Sequence, residues 1–383
     1  MQTFSYPSKI SEQFLALGPE SNGNFSIFKN GKIYFSEDFG DLLLDENYTN
    51  FKKELNAFLK KEKIKPTIIL TDLHPLYKTT LLGEELGKKF KAQHIQIQHH
   101  LAHIFSAIGE KMLQTTNYKL QTSYGVALDG TGYGLDGKIW GGEIFLISNF
   151  KFQISNQIPN LKLQIQRIGH LENQTMLGGD LAIQEPARML IGILDKFLSK
   201  KEVYAKVKKY YSKQEFEVLY NQLQQNFNCV ETSSTGRILD AVSLLLGFSN
   251  NERKSKHQAT YLLEKNSSKP YLNLKPAVSN SVLMTTPLFE YLIKNLHKDK
   301  QRLAATAQLY IAQGLYEIIR LQTTNYKLQT FLSGGIANNK IISEYFENKK
   351  TGSSSRIPVV QIPRGDAGLS FGQIIYYFYA NIF

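Results

Sequence analysis

Apolar residues follow two spacings along the first third of the chain. Short apolar runs bounded by glycine or polar residues predict strands, and longer amphipathic segments predict helices. The predicted strands cover residues 15–17, 24–29, 32–36, 67–71 and 95–98, and the predicted helices cover residues 48–63, 79–91 and 100–113. Because strands and helices alternate, we interpret residues 1–113 as an N-terminal α/β lobe.

The same alternation returns after residue 123 and predicts a second α/β lobe over residues 123–383. It opens with a strand at 124–128 and a hairpin through 139–147, and its middle, around residues 181–265, is mostly helical. Further helices are predicted at 301–321 and 338–347, strands at 330–332 and 358–361, and a final helix from Ala367. The pattern therefore indicates two α/β lobes around a cleft, with a helical insertion in the second.

Composition limits the possible ligands. With 383 residues and 42% hydrophobic content, the chain is long enough to bury a sizeable core. The excess of 45 Lys and Arg over 33 Asp and Glu gives a formal charge of +12, which favours anionic ligands. Much of this charge lies on lysine-rich helical faces, and neither an Arg/Gly tract nor an aromatic RNA-binding signature is present, so nucleic acid is not favoured as the main ligand.

A single cysteine, Cys229, excludes a disulfide framework or a cysteine-based zinc site within the chain. The first residues lack an apolar core of signal-peptide length, and no apolar run is long enough to cross a bilayer. We therefore expect a cytoplasmic protein with no membrane partner.

The motif QHHLAH, residues 98–103, carries the strongest chemical signal. In a helix, His99 and His103 lie at i and i+4 on one face and can share a metal, whereas His100 points elsewhere. Two carboxylates at glycine-flanked positions are candidates to complete the site: Asp129 in LDGTG and Asp366 in PRGDAG. A turn role for Asp129 and a helix-capping role for Asp366 remain open. Iron, zinc and manganese suit such ligands alike.

Glycine-rich segments are candidates for anion and nucleotide binding. We expect the strand to end at Asp129 and residues 130–132 to form a turn whose amides approach a phosphate. In FLSGGIANN the paired glycines let a base or ribose lie against the backbone, and Asn338 either caps the next helix or binds the ligand. Arg188 can pair with a phosphate or with a carboxylate. For Arg237 and Asp240 a structural salt bridge is expected.

Seven motifs occur in an order that resembles the C-terminal part of the hydrogenase maturation carbamoyltransferases, the HypF family. They are DLHPLY, QHHLAH, GVALDGTGYGLDGKIWGGE, GGDLAIQEPARM, TGRILDAVSLLLG, LSGGIANN and IPRGDAGLSFGQ, and the resemblance runs from about Leu15 to the end. It implies the two-lobed actin-like fold, also called the ASKHA or ribonuclease-H-like fold, of sugar kinases and of the tRNA threonylcarbamoyl-adenosine catalytic subunit.

The resemblance also implies an activity: transfer of the carbamoyl group from carbamoyl-adenylate to the C-terminal cysteine thiol of a HypE-type partner, on the way to the cyanide ligand of [NiFe]-hydrogenase. Its implied metal ligands are His99, His103, Asp129 and Asp366, of which the first three are implied to be catalytic. Contacts to carbamoyl-adenylate, AMP or ATP are implied for Gly130, Thr131, Gly132, Gly178, Gly179, Gly334, Gly335 and Asn338.

The chain departs from the family pattern in three respects. The acylphosphatase-like, zinc-finger and adenylate-forming domains are expected to be absent, so a separate YrdC-like protein is expected to supply the adenylate. Asn22 and Gly23 stand where the family pattern has a lysine, and Lys256 and His257 stand where it tends to have Glu-Gly. A catalytically degenerate, nucleotide-binding scaffold is the alternative function; a kinase of the same superfamily is disfavoured, because it has no use for a two-histidine metal clamp.

Overall fold

A computed structural model describes residues 1–6, 10–115, 118–152, 160–322, 328–349 and 361–381. The N-terminal lobe contains six strands and three helices: Gln2–Ser5 (β1), Phe14–Ala16 (β2), Ser26–Lys29 (β3), Lys32–Phe35 (β4), Asp45–Lys61 (α1), Ile68–Asp72 (β5), Lys78–Phe90 (α2), Gln93–Ile97 (β6) and His99–Gln114 (α3). The sheet order is β1-β4-β3-β2-β5-β6.

Strand β5 brings the first polar residue of the candidate site to the sheet edge. It pairs in parallel with β2 and with β6, and all five of its residues are buried, as a near-continuous apolar run predicts for a strand covered on both faces. The strand ends at Asp72. The next parallel strand, β6, leads through Gln98 directly into α3, so the start of α3 lies at the same edge as Asp72.

Over the described residues from 123 onward, the chain forms eight strands and ten α-helices. In chain order these are Ser123–Tyr133 (β7), Ile139–Phe152 (β8), Asn160–Leu171 (β9), Gln174–Leu177 (β10), Leu181–Gln184 (α4), Pro186–Leu194 (α5), Lys200–Val207 (α6), Lys213–Gln224 (α7), Cys229–Thr232 (β11), Thr235–Leu246 (α8), Gln258–Lys265 (α9), Ala277–Ser279 (β12), Val282–Met284 (β13), Thr286–Lys294 (α10), Lys300–Gln322 (α11), Gln329–Ser333 (β14), Lys340–Lys349 (α12) and Leu369–Asn381 (α13). The sheet runs β10-β11-β8-β9-β13-β12, with β7 pairing both β8 and β14.

Helices α3 and α13 form the wall between the two sheets. The apolar face of α3 belongs to one continuous cluster with residues of both sheets, such as Phe28 and Phe145. Helix α13 packs against α3 and against the N-terminal sheet, where the ring of Phe378 lies 4.4 Å from that of Tyr6 and 4.8 Å from that of Phe28. The end of the chain is therefore anchored in the first lobe, although its preceding elements belong to the second. The division at residues 113 and 123 stays a prediction.

The structure corrects the predicted end of the first strand of the second lobe. Strand β7 does not stop at Asp129 but continues to Tyr133, because Gly132 pairs with Trp140 and Tyr133 with Ile139 on β8. The register shifts between Leu128 and Gly132, so residues 129–131 form a bulge within a strand rather than a turn. A bulge turns side chains out of the regular alternation, and here it re-aims the Asp129 carboxylate.

Smaller differences concern the helical middle and the chain's last third. Strand β11 interrupts the region predicted as mostly helical. The strand predicted at 358–361 falls almost wholly outside the described residues. Across the described ranges, no helix combines the length and the apolar character needed to cross a membrane.

Candidate metal centre

Four predicted metal ligands meet at one point between the lobes. The ring nitrogens of His99 and His103, from the first turns of α3, and carboxylate oxygens of Asp129 and Asp366 all lie within 4.8 Å of one another. Asp129 comes from the β7 bulge, and Asp366 lies three residues before α13. The two imidazoles are 2% and 0% exposed, so the cluster is shielded from bulk water.

The ligand atoms face each other across short gaps. His99 Nε2 lies 3.2 Å from Asp129 Oδ2 and 3.7 Å from Asp366 Oδ1. His103 Nε2 lies 3.4 Å from Asp366 Oδ1 and 3.8 Å from Asp129 Oδ2. Two imidazole nitrogens and two carboxylate oxygens thus converge on a common centre from three segments of the chain.

Unsatisfied polar atoms show that the residues fit a metal. His103 Nε2 and Asp366 Oδ1 are buried and have no hydrogen-bond partner within the described part of the chain, although only 3.4 Å separates them. A buried polar atom left unpaired is costly, and a cation held between them would satisfy both. Imidazole and carboxylate donors suit iron, zinc and manganese, and a metal that takes more than four ligands would keep coordination positions for a substrate beside these four.

Asp72 fixes the orientation of the first imidazole. Its Oδ2 lies 2.6 Å from His99 Nδ1, while its Oδ1 accepts a hydrogen bond from the backbone N–H of His74 at 2.9 Å. A carboxylate on the far nitrogen of an imidazole holds the ring in place and directs its other nitrogen to a metal. Burial by itself would lower the pKa of His99, but the Asp72 charge and the bonds to both carboxylates outweigh it and raise that pKa well above its ordinary value.

Both carboxylates of the cluster are held ionised. For Asp129, burial opposes ionisation, but the hydrogen bond with His99 and the nearby imidazoles lower its pKa well below the usual range. For Asp366, burial again opposes ionisation, and Lys256 is the main group that lowers the pKa. Lys256 Nζ donates to Asp366 Oδ2 at 2.7 Å, which leaves Oδ1 directed at the imidazoles.

Glycines around the cluster allow the close approach of its parts. A Cβ on Gly132 would lie 2.5 Å from His100 Cε1 and 2.9 Å from His99 Cδ2, so any side chain there would displace the imidazoles. Gly335 donates its backbone N–H to Asp129 Oδ1 at 3.3 Å. Gly334 has a φ of 102° and passes so close to the Leu128 carbonyl that a side chain would collide with it.

The residues predicted to bind nucleotide lie in several places. Gly132, Gly334 and Gly335 border the four-residue cluster, whereas the Cα of Gly130 lies against Gly236 at the start of α8. Gly178 and Gly179 form a left-handed turn after β10, where a Cβ on Gly178 would meet Arg188. Thr131 is half-buried within the bulge and Asn338 is exposed. A role for these residues in binding remains a prediction.

The structure gives the protein contacts of the polar residues whose roles the sequence left open. Within the described residues Asp366 Oδ1 has no hydrogen-bond partner and Oδ2 accepts from Lys256. The cap of α12 is Asn339, whose Oδ1 accepts from the Ile342 N–H at 3.1 Å, and Asn338 donates its amide to the Gly335 carbonyl. Arg188 pairs with the Glu185 carboxylate at 2.8 Å.

Two further predictions concerned groups near the start of α3 and of α8. Arg237 and Asp240 form the expected salt bridge at 2.8 Å. His100 turns away from the cluster, with its Nδ1 2.9 Å from Gln98 Nε2, and burial lowers its pKa well below the ordinary value. His100 therefore supports the helix start rather than the cluster.

Sequence reasoning did not assign a role to Asp72 or a contact to Lys256. A signal for Asp72 exists, because it ends an apolar strand just as Asp129 follows an apolar run, but the two strands belong to different sheets and their sequences do not show that the carboxylates meet. Lys256 carries no such signal: it comes from a polar loop and reaches Asp366 across more than 100 positions of sequence.

Comparisons with known proteins identify the family that this chain resembles. The HypF Kae1-like domain matches residues 9–110, and the second subdomain of the Kae1-like carbamoyltransferase domain matches residues 125–373. A probable carbamoyltransferase HypF from Methanocaldococcus jannaschii is 36% identical over 97% of this chain and 47% of its own length. A carbamoyltransferase HypF homolog from Cupriavidus necator is 27% identical over 94% of this chain and 90% of its own length.

Solved structures give the same result for the fold. The crystal structure of T. kodakarensis HypF superposes with a TM-score of 0.83 at 30% identity, covering 98% of this chain and 48% of that one. Full-length HypF in a phosphate- and nucleotide-bound form gives a TM-score of 0.83 at 23% identity, covering 99% and 58%. The two-lobed actin-like fold is thereby confirmed. The chain spans about half the length of the M. jannaschii relative. Since two family models match both of its lobes in order, the chain belongs to the HypF carbamoyltransferase family and contains that family's Kae1-like domain.

Proposed function

We propose that this chain transfers the carbamoyl group of carbamoyl-adenylate to the C-terminal cysteine thiol of a HypE-type protein, as part of hydrogenase maturation. The observation that carries the proposal is the buried cluster of His99, His103, Asp129 and Asp366, with its unpaired nitrogen and oxygen atoms, inside a chain of this family. The adenylate itself would be made by a separate, YrdC-like adenylate-forming protein.

The reaction is an acyl transfer. The acceptor thiol loses its proton, its sulfur forms a bond to the carbamoyl carbon, and the bond from that carbon to the phosphate oxygen of AMP breaks. AMP is a good leaving group, so the chain need not supply a nucleophile of its own. A divalent cation, when bound, supplies positive charge that stabilises the negative charge that develops on the carbamoyl oxygen.

The chain's own residues would hold the divalent cation and exclude water from it. His99 and His103 present their Nε2 atoms, and Asp72 keeps His99 oriented through Nδ1 at 2.6 Å. Asp129 and Asp366 add two negative charges, so the four ligands balance a dication. Burial of the imidazoles lowers the local dielectric, which strengthens each of these interactions and protects the acyl-adenylate from hydrolysis.

The nucleotide would lie beside the cluster against the glycines of the second lobe. Gly334 packs against the Leu128 backbone and Gly335 lies beside Asp129 and the His257 ring, so the two glycines let this segment approach the cluster closely. A related HypF has been solved with phosphate and nucleotide bound, which supports a nucleotide site in this chain. The predicted ligand set therefore combines one divalent metal with carbamoyl-adenylate, AMP or ATP.

The test is a reconstituted transfer. The purified chain, loaded with manganese, zinc or iron in turn, is mixed with synthetic carbamoyl-adenylate and a HypE-type acceptor, and intact mass spectrometry detects the thiocarbamate. We expect modification of the acceptor and release of AMP in equal amounts. An acceptor with its C-terminal cysteine changed to serine is the matched control and should remain unmodified.

The scaffold alternative predicts a different result. If metal and AMP bind to the chain but no acceptor is modified with any of the three metals, the chain is a nucleotide-binding scaffold and the proposed activity is wrong. Transfer that persists at full rate after exhaustive chelation would contradict the role assigned to the four-residue cluster.

A further inference from the structure

The two local departures from the family pattern lie against each other in space. Asn22 stands where a lysine is expected, and Lys256 belongs to the dipeptide that replaces Glu-Gly. In the folded chain Lys256 Nζ donates to Asn22 Oδ1 at 2.7 Å and also contacts Ser21 Oγ. A lysine ammonium thus occupies the place next to residue 22, but it enters from the loop between α8 and α9 on the opposite side of the cleft.

The same ammonium reaches the candidate metal centre. Lys256 Nζ lies 2.7 Å from Asp366 Oδ2, and the other oxygen of that carboxylate faces the imidazoles. Asn24 holds this segment to the first lobe, because its side-chain amide donates to the Ala367 carbonyl at 2.7 Å. Lys256 therefore connects the second lobe to Asp366, whose segment is held to the first lobe, and the Asp366 carboxylate lies between the ammonium and the imidazoles.

Backbone geometry directs this dipeptide into the cleft. His257 has a φ of 60°, a left-handed conformation that is costly for a non-glycine residue. The His257 ring lies beside Gly335, which also borders Asp129: a Cβ on Gly335 would be 3.2 Å from His257 Cε1 and 3.4 Å from Asp129 Oδ1. The loop thus holds a costly conformation that places Lys256 and His257 at the mouth of the cluster.

The charges favour an anion at this point. Asp366 neutralises Lys256, whose side chain remains 35% exposed to solvent. The three N–H groups of Lys256 already donate to Asp366 Oδ2, Asn22 Oδ1 and Ser21 Oγ, so an anion would take the place of one of these acceptors. A dication held by Asp366 would draw on the same carboxylate and weaken its bond to the ammonium. An anion beside the metal would then be next to Lys256, within reach of a charge-assisted hydrogen bond.

We propose that Lys256 binds the phosphate of the nucleotide and takes over, from the opposite wall of the cleft, the place of the lysine that residue 22 lacks. The inference rests on the proposed function, because that function identifies the ligand as AMP or an acyl derivative of it. It does not depend on the transfer step, since AMP carries the same phosphate and binds without reacting.

The experiment compares AMP with adenosine. Both are titrated calorimetrically into the full chain in the presence of manganese, using wild type, Lys256→Met and, as the matched control, Lys254→Met, an exposed lysine of the same loop. Lys256→Met should weaken AMP binding roughly tenfold, the loss expected for one hydrogen bond between charged groups. Adenosine, which lacks the phosphate, should bind as before, and Lys254→Met should bind both as wild type does.

A rescue variant tests the location of the charge. Asn22→Lys in the Lys256→Met background should restore AMP affinity to within about threefold of wild type, because it places an ammonium at the same point from the other lobe. Equal weakening of AMP and adenosine, unchanged AMP affinity, failure of the rescue, or a wild type that binds no AMP would each overturn the proposal.

The transfer assay is read separately. A chain that transfers the carbamoyl group but binds AMP independently of Lys256 refutes this inference alone. A chain whose AMP affinity depends on Lys256 but which transfers nothing refutes the proposed function alone.

Discussion

Replacing Asp72 with asparagine should weaken metal binding without unfolding the protein. Asp72 accepts from two donors in the structure: the His74 backbone N–H at Oδ1 and His99 Nδ1 at Oδ2. Asparagine has one oxygen for these two positions. Because a backbone N–H can only donate, the oxygen is held by His74, and the amide NH₂ then faces His99 Nδ1. The ring must accept there and carry its proton on Nε2, the nitrogen needed for the metal.

The size of the effect follows from the geometry of this pair. Both side chains are at most 2% exposed, and the contact is 2.6 Å, so solvent cannot replace it. Loss of such a supporting partner typically lowers metal affinity 10- to 100-fold, or about 1.4–2.8 kcal/mol. Competition titration with a chromophoric chelator measures the affinity, and circular dichroism checks that the fold is retained.

A matched variant separates this effect from the loss of any carboxylate. Asp41 accepts from the Leu43 backbone N–H in the same local geometry as Asp72 with His74, but it is exposed and touches no imidazole. Asp41→Asn should bind metal as wild type does. If Asp72→Asn also retained wild-type affinity, the assignment of Asp72 as the residue that orients His99 would be wrong.

Three further predictions concern stability. Burial raises the pKa of Glu172, but bonds from Lys196 and from the Thr286 N–H outweigh burial and lower that pKa. The ionised carboxylate therefore stabilises the fold above the unfolded-state pKa, and this stabilisation is lost as pH falls through the folded-state pKa. Glu172→Gln should lower the free energy of unfolding at neutral pH and match wild type in acid, as measured by urea unfolding. Lys91, exposed at the end of α2 with φ 55°, should gain about 1 kcal/mol of unfolding free energy on change to glycine. Phe378→Ala should cost about 3–5 kcal/mol, because its buried ring joins α13 to the first lobe.

Each of these has a result that would contradict it. A constant difference between Glu172→Gln and wild type at all pH values would exclude the carboxylate charge as the cause. Lys88→Gly, inside α2, should lose about 1 kcal/mol, and a loss of the same size for Lys91→Gly would refute the left-handed strain. A Phe378→Ala variant as stable as wild type in thermal unfolding would show that α13 is not held by this contact.

The periodicity of apolar residues predicted most of the fold because, over most of the chain, the local pattern agrees with the packing in the folded structure. Strand β5 and helices α2 and α3 lie within a few residues of their predicted bounds, since the apolar residues of each helix face one cluster and those of β5 are buried on both faces of the sheet. The β7 bulge was missed because Gly-Thr-Gly is a good turn sequence. Only pairing with β8, which is set by the long partner strand, decides that the strand continues through it.

The sequence predicted those site residues that lie close together within one motif. The spacing of His99 and His103 places them on one face of a helix, and this spacing can be read directly from the sequence. Their carboxylate partners lie 26 or more positions away and meet them only through the topology. Glycine-flanked positions made Asp129 and Asp366 candidates, and only the resemblance to the family implied a ligand role over a turn or capping role. The sequence could not predict the contacts of Lys256 with Asn22 and Asp366, because they depend on how two loops from different lobes face each other.

Anomalous diffraction from crystals soaked in manganese tests the central claim most directly, since it locates the metal rather than its effects. We predict one strong peak per chain, bonded to His99 Nε2, His103 Nε2 and carboxylate oxygens of Asp129 and Asp366, and its loss in the His99→Ala, His103→Ala double variant. A strong peak bound elsewhere, or a peak at this position that survives the double substitution, would contradict the account.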